Sequence, residues 1–280
     1  MTILKLLLFL PICLSVYNMS YAQAYTYSYI ERADSADRYI RQERWEDAER
    51  NLKAALRLEP GNPGNALLLS NLGFVQTQLD RPEEAIESYT VSLSIAPRSA
   101  VVLSNRGMAY MQLGQNKEAL ADFDSSLAID SMRSMPLRWR GLLRLETGDV
   151  SGARHDLTRL STIDPKDPLA FEGLARCDIA EGSLQKAITH IEQAITLAPS
   201  PERYFLKASA EMDTALLPEA AETLRTAIKE YPRYGNLYLL RARLHQLNYR
   251  PTDAEIDRKT AMANGADPDM ATQLLERKKQ

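Results

Sequence analysis

The chain has 280 residues, of which 45% are hydrophobic and 25% are charged, and its formal net charge is -3. These values are typical of folded globular proteins, and they exclude a disordered chain and a strongly basic nucleic-acid-binding protein. The length is near the size at which a single core stops growing. A stacked array of repeats avoids that limit, because each unit buries its face against the next.

The first residues indicate export from the cytoplasm. A short apolar run at residues 6–16 is followed by small residues at Ser20 and Ala22. The run is too short to span a bilayer, so it predicts a secretory signal peptide at 1–22, with cleavage after Ala24 or an uncleaved anchor as alternatives. We expect a periplasmic protein, or alternatively a secreted or envelope-associated one, with no integral membrane span after cleavage.

Loss of the signal peptide leaves Cys177 as the one remaining cysteine. No disulfide can then form within the chain, so its stability must come from packing. Cys177 follows Leu174 by three residues on a predicted helix, and we expect a small buried thiol rather than a nucleophile. The other cysteine, Cys13, lacks the small preceding residues of a lipoprotein signal.

A spaced triplet of small residues recurs seven times along the chain. In one copy Gly73 is followed by Ala85 twelve residues later and by Ser92 after seven more. Successive middle alanines are 37, 34, 34, 34, 33 and 34 residues apart, which is the period of a helical repeat array. Helices that cross closely need residues without bulk at the contact, and Leu160 is the one large member of any triplet. The middle alanines are Ala48, Ala85, Ala119, Ala153, Ala187, Ala220 and Ala254.

Each copy contains two runs with apolar residues three or four apart, the pattern of amphipathic helices. Glycines between the runs suit left-handed helix ends, and Pro82 and Pro251 suit the first turn of the following helix. The sequence GNPGN at 61–65 adds three residues between the first two copies, and we expect it to loosen that junction. Near the C-terminus, Met270 and Leu274 share one helical face suited to covering the last repeat. The predicted left-handed glycines are Gly114, Gly148 and Gly182.

This pattern resembles the tetratricopeptide repeat, carried in one copy by Leu69, Leu72, Gly73, Ala85, Tyr89 and Pro97, and in the next by Leu103, Gly107, Tyr110, Ala119 and Phe123. The resemblance implies an all-α solenoid, a right-handed superhelix of seven helix-turn-helix repeats with a C-terminal capping helix. The expected organisation is a signal peptide at 1–22, an arm at 23–28, repeats at about 29–62, 66–99, 100–133, 134–167, 168–200, 201–234 and 235–268, and a capping helix at 269–280.

The resemblance also implies a concave groove, lined by the first helix of each pair, that binds a peptide or protein segment. Methionine, tryptophan and arginine are favoured at interfaces, although Trp139 and the methionines could instead pack between helices. Ala33 and Ser70 replace the lysines of a carboxylate clamp, so we do not expect one. The candidate groove residues are Asn71, Phe74, Gln78, Asn105, Met108, Met111, Arg138, Trp139, Leu142 and Arg176.

Catalytic and metal-binding motifs are missing from the sequence. His155, His190 and His245 fall in three separate repeats, with no metal-binding helix motif, phosphate loop or nucleophile elbow around them. The acidic pairs at Asp122 and Asp124, and at Glu83 and Glu84, are expected on solvated helix faces. We therefore expect no enzyme activity, no cofactor, no metal and no nucleic-acid partner.

The function that the sequence favours is a non-enzymatic, exported scaffold that binds another protein or a peptide segment in the groove. An alternative is an accessory or cargo-binding subunit of an envelope enzyme or transport system. The sequence leaves the partner unidentified.

Overall fold

The computed structural model describes residues 28–275, so the predicted signal peptide, nearly all of the arm and the last five residues lie outside it. Every regular element of the described part is helical. None of its helices combines the length and apolar composition that a membrane crossing requires. The helices are α1 (28–41), α2 (Trp45–Leu58), α3 (Asn65–Gln78), α4 (Pro82–Ile95), α5 (Ala100–Gln112), α6 (Asn116–Ile129), α7 (Ser134–Glu146), α8 (Val150–Ile163), α9 (Pro168–Ala180), α10 (Leu184–Leu197), α11 (Pro201–Asp213), α12 (Leu217–Glu230), α13 (Gly235–Leu247), α14 (Pro251–Ala263) and α15 (Pro268–Leu275).

The helices form seven pairs, α1 with α2 through α13 with α14, followed by the single helix α15. Short turns join the two members of each pair, and most helices contact both of their neighbours along the chain. The described residues divide into two compact units, unit 1 up to residue 136 and unit 2 from residue 137, with the boundary in the first turn of α7. The predicted all-α fold of repeated helix pairs is confirmed.

The core of unit 1 consists of small and aliphatic residues on the facing sides of its helices. Ala36, Ala48 and Ala55 are fully buried among leucines of α2 and α3, with Tyr29 closing the N-terminal end. A second cluster joins α4 and α5 around Tyr89, which is 1% exposed. Packing between successive pairs therefore builds one continuous series of contacts through the unit.

Unit 2 has the same arrangement and ends in the capping helix. Clusters of buried alanine, leucine and isoleucine join α9 to α11 and α11 to α13. Helix α15 packs on α13, where Met270 and Leu274 contact the cluster that contains Leu239 and Ala266. The apolar face predicted for the terminal helix thus covers the last repeat.

The small residues of the triplets allow the two helices of a pair to approach closely. A Cβ atom at Gly73 would lie 2.7 Å from the Tyr89 ring, and one at Gly107 would lie 2.7 Å from the ring of Phe123. Real Cβ atoms do not come that close to a neighbour, so glycine is needed opposite an aromatic ring. Leu160, the exceptional large member, is itself fully buried.

The turn within every pair contains one residue in the left-handed region. Gly114, Gly148 and Gly182 have φ values of 68°, 86° and 72°, which confirms the predicted helix ends. The equivalent residues of the other four pairs are not glycine, and their φ values are 56° to 60°. Left-handed backbone is costly for residues that carry a Cβ atom. These four residues are Glu43, Asp80, Ala215 and Tyr249.

The inserted residues between the first two pairs are held in place, so the prediction of a loosened junction is wrong. Asn65 is 2% exposed, and its amide donates to the carbonyl oxygens of Glu59 and Pro60 at 2.7 and 3.1 Å. The hydroxyl of Tyr29 in α1 donates to the Asn65 side-chain oxygen at 3.1 Å. Buried asparagine with satisfied hydrogen bonds fixes the loop against α1 and α3.

Candidate binding groove

All ten candidate groove residues lie on the first helices of their pairs, α3, α5, α7 and α9. Gln78 and Arg176 are exposed, Phe74 is 36% exposed, and the other seven are half-buried. Six of the ten lie in unit 1 and four lie in unit 2. Their role in binding stays a prediction.

In unit 1, two of the candidates also have structural partners. The Phe74 ring packs edge-on against Trp45 of α2, with centroids 5.8 Å apart and planes at 83°. Asn105 lies near Tyr89. Burial raises the pKa of the Tyr89 hydroxyl to about 12, and the side chains of Thr77 and Asn105 act in the opposite direction. Phe74 and Asn105 thus lie beside side chains of the preceding helices, and each is still partly exposed.

In unit 2, Arg138 is held by the carboxylate of Asp167. The Arg138 Nε atom lies 2.5 Å from Asp167 Oδ2, and the Asp167 side chain is 2% exposed. The other Asp167 oxygen accepts from the backbone nitrogen of Leu169 at 2.9 Å, which caps the start of α9. Arg138 thus connects α7 to the beginning of α9, and Trp139 beside it is half-buried.

Leu142 and Arg176 line one pocket on the face formed by α7 and α9, called here the α7–α9 pocket. Its volume is about 380 Å³. That size is within the range of pockets that bind small molecules or individual side chains. The remaining lining residues are Leu145, Glu146, Val150, Leu169, Glu172 and Ala180.

Charged groups lie at two places around this mainly apolar pocket. Glu172 accepts from Arg176 at 2.8 Å and from Arg203 at 3.0 Å, so each of its two carboxylate oxygens is paired with an arginine. The Arg203 guanidinium also donates to the carbonyl oxygen of Ala198. Glu146, by contrast, is exposed and has no hydrogen-bond or ion-pair partner within residues 28–275.

A second set of polar residues is buried inside the helix pairs and was not predicted. Asp122, expected on a solvated face, is only 5% exposed and binds the Arg106 guanidinium through two bonds of 2.8 Å. That prediction was wrong because the partner is on the other helix, sixteen residues away. Asp124 and Glu83 are exposed, as expected.

Position Asp122 belongs to a series, since the residue three positions after each middle alanine is polar. Asp156 binds Arg140 and Arg144, and Asp257 binds Arg241. This periodic polar residue is the sequence signal that could have revealed the buried contacts. The members are Asn51, Ser88, Asp122, Asp156, His190, Thr223 and Asp257.

Two of the three histidines and the cysteine are parts of this packing, whereas His155 is exposed. His190 Nδ1 lies 2.6 Å from Asp178, and His245 Nε2 lies 3.4 Å from Asp257. Cys177 is fully buried, and that burial raises the pKa of its thiol. Within residues 28–275 no three histidine, cysteine, aspartate or glutamate side chains are arranged to hold a metal ion.

Family models described as tetratricopeptide repeat match residues 29–98, 100–131 and 138–201. These matches together span more than half of the chain, which therefore belongs to the tetratricopeptide-repeat proteins. Proteins of this class serve as scaffolds for protein interactions. A search of curated proteins finds no significant match.

Solved structures of this class resemble the chain. A tetratricopeptide repeat protein from Parabacteroides merdae ATCC 43184 is 28% identical over 89% of this chain and 98% of its own, with a TM-score of 0.67. PilW, a type IV pilus biogenesis factor, is 23% identical over 73% of this chain and 94% of its own, with a TM-score of 0.61. YrrB, a repeat protein with an unusual peptide-binding site, is 14% identical over 68% of this chain and 99% of its own, with a TM-score of 0.56. The last two show the fold alone.

Proposed function

We propose that the protein is a non-enzymatic scaffold, exported to the periplasm, that binds a segment of another protein on the first helices of its repeats. The observation that carries the proposal is the α7–α9 pocket. Its walls are mainly leucine, valine and alanine, and its charged groups lie beside them. Pockets with apolar walls and a few charged groups beside them bury an apolar side chain and orient it through a few polar contacts.

Three further features support binding of a protein segment. Half-buried Met108 and Met111 on α5 and Trp139 on α7 are residue types enriched at interfaces, and methionine adapts to irregular partners. Phe74 offers a partly exposed ring that Trp45 orients. The resemblance in fold to YrrB agrees with this reading, since that protein has a peptide-binding site.

Export is supported by the apolar run and the small residues of the first 22 positions. Mass spectrometry of the protein purified from its native source will test it. We expect an N-terminus at Gln23, or at Tyr25 if cleavage follows Ala24. An intact Met1 in a soluble cytoplasmic fraction would contradict export.

Site-specific photocrosslinking will test the binding function. A photoreactive residue replaces Leu142 in the α7–α9 pocket, and a matched one replaces the exposed Thr158 on α8 of the same unit. In the native source we expect a discrete covalent adduct with another protein from position 142 alone. Equal labelling at both positions, or no adduct at 142, would reject the pocket as a binding site.

A further inference from the structure

A second pocket in unit 2 has the same construction as the α7–α9 pocket, two repeats further along. This α11–α13 pocket has a volume of about 370 Å³ and is lined by Ser209, Met212, Asp213, Leu240, Arg243 and Leu247. Glu146 and Asp213 occupy equivalent positions in their repeats, as do Arg176 and Arg243. The two pockets are therefore copies of one structural feature.

The α11–α13 pocket has one additional wall, Leu274 of the capping helix. Leu274 and Met270 are four residues apart, so they lie on one side of α15 and meet α13 together. A short amphipathic helix thus lies against α13 and places Leu274 at the pocket. Leu274 has no counterpart among the lining residues of the α7–α9 pocket.

Both pockets have a negative charge at the same edge. Glu146 is the last residue of α7 and Asp213 is the last residue of α11. The C-terminal end of a helix is itself partly negative, so a carboxylate is unfavourable there and a cation is favoured. Neither carboxylate has an ion-pair partner within residues 28–275.

The arginine of each pocket makes its hydrogen bond to a different side chain and forms no ion pair with this carboxylate. Arg176 donates to Glu172 at 2.8 Å, and Arg243 donates to the Gln246 side-chain oxygen at 3.4 Å. A cation placed beside Glu146 would gain a charge-assisted hydrogen bond and the attraction of the helix end. A carboxylate ligand would have to compete with Glu172 for Arg176.

We propose that the α7–α9 pocket binds an amphipathic helical segment of a partner protein, an inference that rests on the proposed function. In that segment an apolar residue is followed one turn later by lysine or arginine. The apolar residue enters the pocket between Leu142 and Leu169, and the cation meets Glu146. The C-terminal sequence of the chain has this pattern, since Leu274 is followed by Arg277 and Lys278.

The test uses a fluorescent synthetic peptide with the sequence of residues 268–280, PDMATQLLERKKQ, added to the full-length mature protein. A second peptide carries glutamate in place of its three cationic residues. Fluorescence anisotropy should show saturable binding of the first peptide and binding at least about tenfold weaker for the second, the effect of one charge-assisted contact. The Glu146→Lys variant should lose affinity for the first peptide by a similar factor.

Glu219→Lys is the matched control, because Glu219 is an exposed carboxylate of unit 2 that lines neither pocket. It makes the same change in net charge and should bind the first peptide as the unchanged protein does. Asp213→Lys separates the two pockets and should have the smaller effect, since α15 already contributes a side chain there.

Equal binding of both peptides, or unchanged binding by Glu146→Lys, would overturn this proposal and leave the scaffold function standing. Binding of neither peptide would also overturn it. Crosslinking from position 142 decides the scaffold function separately, because it depends on the native partner and not on the charge of a peptide.

Discussion

The two units join the helices of their pairs by different means. In unit 1 an aromatic ring lies against a glycine in two successive pairs, Tyr89 against Gly73 and Phe123 against Gly107. Within its described residues only one carboxylate, Asp122, is buried. In its first three pairs unit 2 has Leu157, Ile191 and Leu224 in place of those rings. The described part of unit 2 buries five carboxylates, namely Asp156, Asp167, Asp178, Glu211 and Asp257.

This contrast shows that one repeated backbone can be stabilised by shape or by charge. A ring against a glycine gains dispersion contacts and apolar burial, which depend on a close fit. A buried carboxylate is costly to remove from water and is tolerated only while its partners stay in place. Unit 1 should therefore be sensitive to changes in volume, and unit 2 to the loss of a charged partner.

The largest effect is expected for Asp156→Ala in unit 2. Asp156 is fully buried and accepts from Arg140 at 2.6 and 2.8 Å and from Arg144 at 2.9 Å. Removing one partner of a buried ion pair typically costs about 3–5 kcal/mol, because charge is left behind in a place with little water. Urea denaturation followed by circular dichroism will measure the change in the free energy of unfolding.

Cys177 provides a local readout for the same variant. Its thiol is buried in α9, so it should react with a thiol reagent only when that part of unit 2 opens. Asp156→Ala should accelerate the labelling, whereas a destabilising change in unit 1 should leave it nearly unchanged. A cost below about 1 kcal/mol for Asp156→Ala would show that the buried charges of unit 2 matter little.

The next effect concerns shape and is expected in unit 1. Gly73→Ala places a methyl group 2.7 Å from the buried Tyr89 ring and should cost about 1–3 kcal/mol. The equivalent Gly141→Ala in unit 2 meets Leu157 at 2.9 Å, and leucine can change its rotamer, so its cost should be smaller. Adding Tyr89→Leu should recover much of the loss at Gly73 in a double-mutant cycle, and additive effects would argue against direct contact.

A smaller, stabilising effect is expected at the left-handed turns. Ala215 has a φ of 60°, where an L-residue is strained, so Ala215→Gly should stabilise unit 2 by up to about 1 kcal/mol. Asp80 in unit 1 has a φ of 57°, but aspartate tolerates this region better, and Asp80→Gly should change little. Thermal denaturation of both variants will compare them, and a loss of stability in Ala215→Gly would contradict the strain.

The smallest effect is a difference in pH dependence. Burial acts to raise the pKa of Glu49 in unit 1, but hydrogen bonds from Arg81 and Lys53 outweigh it and lower this pKa below 4.5. Burial raises the pKa of Glu211 in unit 2 above 4.5, against bonds from Thr223 and Lys207. The stabilisation that Glu49 contributes to the folded state is present above the pKa of the unfolded chain and is lost as the pH falls. The stabilisation that Glu211 contributes is present below the pKa of the unfolded chain and is lost as the pH rises.

Glutamine variants will separate these two contributions. The destabilisation caused by Glu49→Gln should shrink as the pH falls from about 7 to about 4, and Glu211→Gln should gain stability relative to the unchanged protein as the pH rises over that range. Urea denaturation at both pH values measures each difference. Parallel pH profiles for the two variants would contradict the opposite pKa shifts.

The sequence predicted the fold well because the residues that define it act over short distances. Gly114 ends its own helix, and the middle alanines recur at nearly the same spacing from one helix pair to the next. The buried charges were harder to predict, since Asp122 and Arg106 lie on different helices and each looks like a surface residue within its own helix. Arg138 was predicted to line the groove. Its bond to Asp167, 29 residues away, could not be predicted because it depends on the start of another repeat.

The site could be predicted only as a set of helix faces. Which residues form a pocket depends on the distance between α7 and α9, and spacing along one helix does not give that distance. Glu146 was not among the candidates for this reason. Glu146 stands out because it ends α7 and has no ion-pair partner among the residues that the structure describes.

The ion pair between Arg106 and Asp122 closes over sixteen residues, and Arg140 with Asp156 and Arg241 with Asp257 span the same length of chain. Contacts so close in sequence need little loop-closure entropy and form rapidly. A helix pair emerging from the ribosome can therefore close before the next pair has appeared. Folding of this chain can then proceed from one end to the other at the pace of its delivery.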